Sequence, residues 1–151
     1  MSGERFTLDS NILVYSVDAR DTRKQSLALE IICAGASRDC PLALQAIGEF
    51  YAAATARLKL RPDDARERSL QLLKAFDSFT HSPSAIRAAF AEAGKNRFSF
   101  WDAMLLASAA EAGCSVILSE DMQDGARFGS IAVCNPFGKA GISPSARGIL
   151  A

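Results

Sequence analysis

The sequence predicts an α/β fold with a mainly parallel central sheet and flanking helices. Two patterns predict it. Short apolar runs alternate with longer stretches whose apolar residues recur every three or four positions. The order along the chain is strand, helix, strand, helix, which fits a parallel sheet covered by its connecting helices. Length agrees with a single such domain. At 151 residues, a chain buries roughly 70% of its unfolded surface and needs no disulfide staple.

Each element has a local reason. Phe6-Thr7-Leu8 is a short apolar run ending at Asp9. Thr22 to Ala36 reads as a helix with Leu27, Ile31 and Ala34 on one stripe. Pro41-Leu42-Ala43 reads as a second strand. Gln45 to Leu60 is predicted helical, because Leu44, Ile47, Tyr51, Ala54 and Leu58 share a face. Pro62 suits the first turn of a further helix carrying Leu70, Leu73 and Phe76. Phe79-Thr80-His81 is a third strand candidate. Ser82-Pro83-Ser84 opens a helix that stops near Gly94, and Ser99 opens one that stops at Gly113. Ser115 to Leu118 is a buried strand followed by a polar turn, and Ile131 to Cys134 is the last strand. The remainder, 137–151, is rich in Gly, Pro and Ser. It is expected to be a loosely ordered tail to a domain spanning 1–136.

Composition excludes several classes. Hydrophobic residues make up 49% and charged residues 23%, the balance of a soluble globular domain rather than a disordered chain. Lys+Arg and Asp+Glu are 17 each, so no global basic field marks a nucleic-acid binder. No apolar run is long enough to span a membrane, and the N-terminus lacks the apolar region of a signal peptide. A cytoplasmic, reduced protein is expected. Cys33, Cys40, Cys114 and Cys134 form no CxxC pair and His81 stands alone, so a zinc site is not expected. The thiols read as small, mostly buried side chains, and His81 as structural. No GxxxxGK[ST] loop is present. A phosphate-switch receiver is disfavoured too, since Ser10-Asn11 follow Asp9 where a second acid would stand.

In open α/β sheets, sites form beyond the carboxyl ends of the strands. Four acids fall at such places: Asp9 after the first strand, Glu49 early in its helix, Asp102 in the first turn of its helix, and Asp121 after the Val116–Leu118 run. Each has a plain structural reading. Asp9 can cap a short helix over Asn11 to Tyr15, Ser99 and Asp102 make a capping-box pattern, and Asp121 can make an Asx turn. Glu49 falls opposite the apolar stripe, as a solvated residue would. Converging carboxylates, however, repel one another and need a cation. An all-oxygen set without Cys or His favours Mg²⁺ or Mn²⁺.

The stretches around these acids resemble the PIN-domain ribonucleases, and more narrowly the VapC-like toxins of type II toxin–antitoxin modules. They are Thr7 to Tyr15, Gln45 to Phe50, Phe98 to Ala107 and Ile117 to Met122, and the resemblance spans roughly Phe6 to Pro136. It implies a three-layer α/β/α domain with a central sheet of about five short strands. It implies a metal-dependent endoribonuclease in which Asp9, Asp102, Asp121 and Glu49 hold Mg²⁺ or Mn²⁺ and carry catalysis. Asn11 and Ser119 would support them by hydrogen bonding, and Asp124 would be an additional acid or a turn residue. RNA would be the substrate, a small cognate antitoxin the neutralising partner, and a homodimer the assembly. The helices at Thr22 to Ala36 and Gln45 to Leu60 are apolar enough to line an antitoxin groove, or simply to pack the core.

Setting the four clustered acids aside leaves an excess of basic residues for RNA phosphates. Arg57, Lys59, Arg61, Lys95 and Arg97 are the candidates, alongside a plain role as helix-end charges. Trp101 adjoins Asp102 and would stack on a base, or bury itself in the core or a dimer interface. The alternative to a nuclease is a catalytically silent PIN-like module that binds RNA or protein.

Overall fold

The computed structural model describes residues 3–151. Met1 and Ser2, part of the N-terminal stretch read above, lie outside the described residues. The strands are β1 (Phe6–Leu8), β2 (Leu42–Ala43), β3 (Ser78–Phe79), β4 (Val116–Leu118), β5 (Arg127–Phe128), β6 (Ile131–Cys134), β7 (Phe137–Gly138) and β8 (Gly141–Ile142). The helices are α1 (Ser10–Tyr15), α2 (Thr22–Ala36), α3 (Leu44–Ala56), α4 (Pro62–Ala75), α5 (Pro83–Ala93), α6 (Phe100–Glu111) and α7 (Pro144–Leu150). No helix among the described residues is long and apolar enough to cross a membrane.

The central sheet has the order β1-β4-β6-β5. β4 pairs in parallel with β1 on one side and β6 on the other. Every residue of β1 and β4 is buried, which is why these strands are continuous apolar runs rather than alternating ones. β5 runs antiparallel at the edge. The expected set of about five strands is thus four in one sheet plus a separate parallel pair, β2 with β3. The break has a local cause. Pro41, just before β2, has no N–H to extend a ladder. The Thr7 hydroxyl bridges the gap instead, donating to the Pro41 carbonyl at 2.7 Å.

Helix starts follow their caps. Asp21, Ser82, Ser99 and Ser143 each accept a backbone N–H of the helix they open. Pro62, Pro83 and Pro144 sit in first turns. α6 is buried without interruption from Ala103 to Ala109. Its small residues let it lie against both the sheet and α5. α3 ends earlier than its apolar pattern suggests. Lys59 adopts a left-handed φ of 59°, and the Leu60 N–H returns to the Ala54 carbonyl at 3.0 Å.

The tail over 137–151 differs from expectation. It is a hairpin, β7–β8, followed by α7. Ile142, Ala146 and Leu150 are buried in the main core, and Arg147 pairs with Glu30 at 2.8 Å. Arg38 Nε donates to the carbonyls of Leu150 and Ala151. Gly and Pro here serve as turn and first-turn residues. Three apolar anchors outweigh a composition that resembles a linker.

Candidate active site

The register of the sheet builds the site. Leu8 lies opposite Leu118, so the residues that follow, Asp9 and Ser119, emerge side by side at the carboxyl edge. The Asp9 N–H donates to the Leu118 carbonyl at 2.9 Å. Ser119 Oγ donates to Asp9 Oδ2 at 2.7 Å. The Ser10 N–H donates to Asp9 Oδ1 at 2.7 Å, so Asp9 also caps α1. Asn11 Nδ2 lies 3.3 Å from Asp9 Oδ2, and Asn11 Oδ1 accepts the Glu120 N–H at 3.4 Å. Asn11 and Ser119 therefore fix both the acid and the loop that carries Asp121.

Asp9 is only 6% exposed. Its carboxyl is pushed up to about 6, chiefly by burial, and further by the charges of Asp102 and Asp121; the bonds from Ser119 and Ser10 oppose the rise. Asp102 stands half-buried in the first turn of α6, where its N–H donates to Ser99 Oγ at 3.1 Å. Its carboxyl is also raised, first by burial and then by the charge of Asp121, against the opposing bond from Ser99. Asp121 is exposed in the loop after β4. Three of the four acids thus share one electrostatic site.

Glu49 is not among the charges that raise Asp9 or Asp102. It is exposed on α3, and its carboxylate accepts from Gln45 Nε2 at 3.2 Å. Asp124 accepts the Asn135 N–H at 2.9 Å, a bond that ties the β4–β5 turn to the end of β6. Among the described residues no three Asp, Glu, His or Cys side chains form a preassembled metal cage. The donor set still suits a hard divalent cation. It is all oxygen, and the charges of Asp102 and Asp121 act on a buried carboxylate with no cationic side chain hydrogen-bonded to it.

The basic candidates separate into two groups. Arg97 and Lys95 engage Glu92, at 2.6 and 3.7 Å. Arg57 lines a cavity of about 180 Å³ with Asn11, Tyr15, Asp18, Arg20 and Asp121. Lys59 occupies the left-handed turn after α3, and Arg61 is the N-cap residue of α4. Trp101 is not a core residue: it is 62% exposed and edge-on to Phe100, on which Phe90 stacks. His81 is exposed in the segment before α5, and Cys33 is the exposed thiol of the four.

Two groups at the site escape sequence reasoning. Glu120 accepts from the Tyr15 hydroxyl and pairs with Lys24. The Lys24 ammonium lies over the rings of Tyr15 and Phe137, at 4.9 and 5.5 Å. The C-terminal hairpin thereby braces the Asp121 loop. Asp18 holds Arg20 through two 2.9 Å bonds. No spacing signal joins positions 15, 24, 120 and 137. Only the fold brings them together.

A small α/β domain with Asp9, Asp102 and Asp121 at the carboxyl edge of a parallel sheet defines a class: a compact fold with acids at its strand and helix ends. The PIN domain family model matches residues 6–124, and the chain belongs to the PIN domain family. No curated protein sequence matches it. Among solved structures, VapC20 of Mycobacterium tuberculosis, described as a sarcin-ricin loop cleaving toxin, is 17% identical with a TM-score of 0.60, covering 77% of this chain and 91% of its own. A toxin–antitoxin complex from Klebsiella pneumoniae is 19% identical with a TM-score of 0.60, covering 87% and 97%. DNA-bound VapBC from Salmonella typhimurium is 18% identical with a TM-score of 0.60, covering 86% and 96%. At these identities the likeness is one of fold.

Proposed function

We propose that this protein is a metal-dependent endoribonuclease toxin of the VapC type, acting in the cytoplasm and neutralised by a cognate antitoxin. The observation that carries the reading is the convergence of Asp9, Asp102 and Asp121 without a cationic side chain bonded to Asp9. In this reading those three carboxylates hold Mg²⁺ or Mn²⁺. When bound, the ion supplies Lewis acidity, easing deprotonation of the attacking water and offsetting charge on the phosphoryl oxygens. The chain's own groups set the geometry. Ser119 and the Ser10 N–H each hold one oxygen of Asp9, Ser99 fixes the first turn that carries Asp102, and Asn11 restrains the loop before Asp121. In-line attack would leave a 5′-phosphate and a 3′-hydroxyl. Glu49 would orient the water or complete a second ion site.

The antitoxin fits a second feature. An apolar groove of about 210 Å³ runs between α2 and α4, lined among others by Leu29, Ile32, Cys33, Phe50, Leu72 and Phe76. It accepts the apolar face of a helical segment. The similar structure from Klebsiella pneumoniae, named as a toxin–antitoxin complex, supports that partner, and a homodimer belongs to the same reading. The test is end-mapping of total bacterial RNA after incubation with the purified protein and Mg²⁺ or Mn²⁺, beside Asp9→Asn. Discrete new 5′-phosphate ends made by the native protein alone are expected. Identical ends with both proteins, at ion levels that saturate binding, would replace the nuclease with a silent binding module.

A further inference from the structure

We propose that the cleft beside Asp121 is a phosphate subsite, in which Arg57 binds a backbone phosphate of the single-stranded RNA next to the scissile one. The inference rests on the nuclease reading for its substrate and on the cleft for its geometry. The cavity of about 180 Å³ is lined by Asp121 and Asn11, which belong to the acidic edge, together with Arg57, Arg20 and Asp18. A strand leaving the carboxylates passes through it.

The charges in the cleft are sorted. Asp18, with a side chain 9% exposed, is neutralised by the fork of Arg20: Nε to Oδ1 and Nη2 to Oδ2, both 2.9 Å. Such a two-point pair holds both side chains in one plane and satisfies the buried carboxylate. It leaves Arg57, whose charge also acts on Asp18, as the cation of the cleft that forms no ion pair. No carboxylate among the described residues lies within ion-pair distance of Arg57. Its backbone is not free to swing away. Arg57 closes α3 with its N–H on the Ala53 carbonyl, and the chain reverses directly after it through the left-handed Lys59. An arginine anchored by its backbone at a cleft in which Asp18 is already paired is suited to a planar, two-point grip on a phosphate. Lys95 and Arg97, the other basic candidates near an acid, are committed to Glu92 and lack this freedom.

The test compares native protein, Arg57→Ala and Arg57→Lys on a single-stranded RNA oligonucleotide with Mn²⁺, across a salt series. Arg57→Ala should raise KM about tenfold, as loss of one charge-assisted contact does, with kcat nearly unchanged. The slope of log(kcat/KM) against log[salt] should fall by about 0.7, the value of one phosphate contact on a single strand. Arg57→Lys should restore the salt slope but only part of the affinity. Unchanged KM and salt slope in Arg57→Ala, with native protein active and Asp9→Asn inactive, would overturn the subsite and leave the nuclease standing. Should the native protein cleave nothing, the nuclease reading falls by itself. Anisotropy of the same labelled oligonucleotide then decides the subsite: Arg57→Ala must weaken binding about tenfold with the same loss of slope, and equal affinities overturn it.

Discussion

Asp9 and Glu92 are buried to the same degree, 6% and 7% exposed, yet their surroundings are opposite. Glu92 near the end of α5 receives Arg97 at 2.6 Å and Lys95 at 3.7 Å. Asp9 receives only neutral donors, the Ser10 N–H, Ser119 and Asn11, and faces the charges of Asp102 and Asp121. A buried charge is tolerated when paired and costly when not. The α5–α6 connection obeys this rule and the carboxyl edge of the sheet breaks it. The lesson is that burial alone does not mark a functional acid. An acid buried among like charges and left without a cation is the better candidate, because an external ion would offset the deficit.

The comparison breaks most visibly in substitution. Asp9→Asn should abolish RNA cleavage and at the same time stabilise the metal-free protein at neutral pH. Keeping Asp9 ionised there costs roughly 3 kcal/mol, and the amide removes most of that cost. A melt in chelator showing Asp9→Asn less stable than the native protein would refute the unneutralised-acid account. Metal supplies the next largest effect. Mn²⁺ at a hundred times its dissociation constant should stabilise the native protein by about 2.7 kcal/mol. It should leave Asp9→Asn and Asp102→Asn nearly unmoved, as differential scanning calorimetry would show.

The paired region should respond with the other sign. Arg97→Ala removes the nearer cation from Glu92 and should destabilise the protein by about 1–2 kcal/mol, less than a fully buried pair because the Arg97 side chain is 55% exposed. Urea denaturation measures it, and a stabilised variant would show that Glu92 needs no partner.

A smaller effect appears in pH. Asp9 is raised from 3.8 to about 6. The native state therefore holds its proton more tightly than the unfolded chain, and metal-free stability falls as pH rises from about 4 to 6. Asp18 is lowered by its bond to Arg20. Its contribution is present above its unfolded value of 3.8 and is lost as pH falls below it. In chelator, the melting temperature should thus climb as pH drops from about 6 towards 4 and turn down below about 4. Asp9→Asn should flatten the upper limb alone.

Much of the architecture is legible in local chemistry. α2 is bounded as its stripe and the cap at Asp21 require, and β1, β4 and β6 follow continuous apolar runs. Serine and proline at positions 82, 83 and 99 place the starts of α5 and α6. The misses share a cause. The tail over 137–151 has a linker's composition, but Ile142, Ala146 and Leu150 find a core built elsewhere in the chain. β2 and β3 have strand sequences, yet they pair apart from the main sheet because Pro41 has no N–H to extend the ladder, and the Thr7 hydroxyl bridges the gap.

The sequence by itself determined the order of strands and helices and the placing of Asp9, Asp102 and Asp121 at element ends. Caps, breakers and apolar periodicity act over a few residues, so they can be read along the chain. Only the tertiary structure decided which acids meet. It joined Asp9 to Ser119 through the β1–β4 register. It left Glu49 on a solvent face with Gln45, gave Glu92 its cations, and left Arg57 without a carboxylate beside Asp121. Charge interactions depend on distance and burial, and neither exists until segments more than a hundred residues apart, such as β1 and β4, lie side by side.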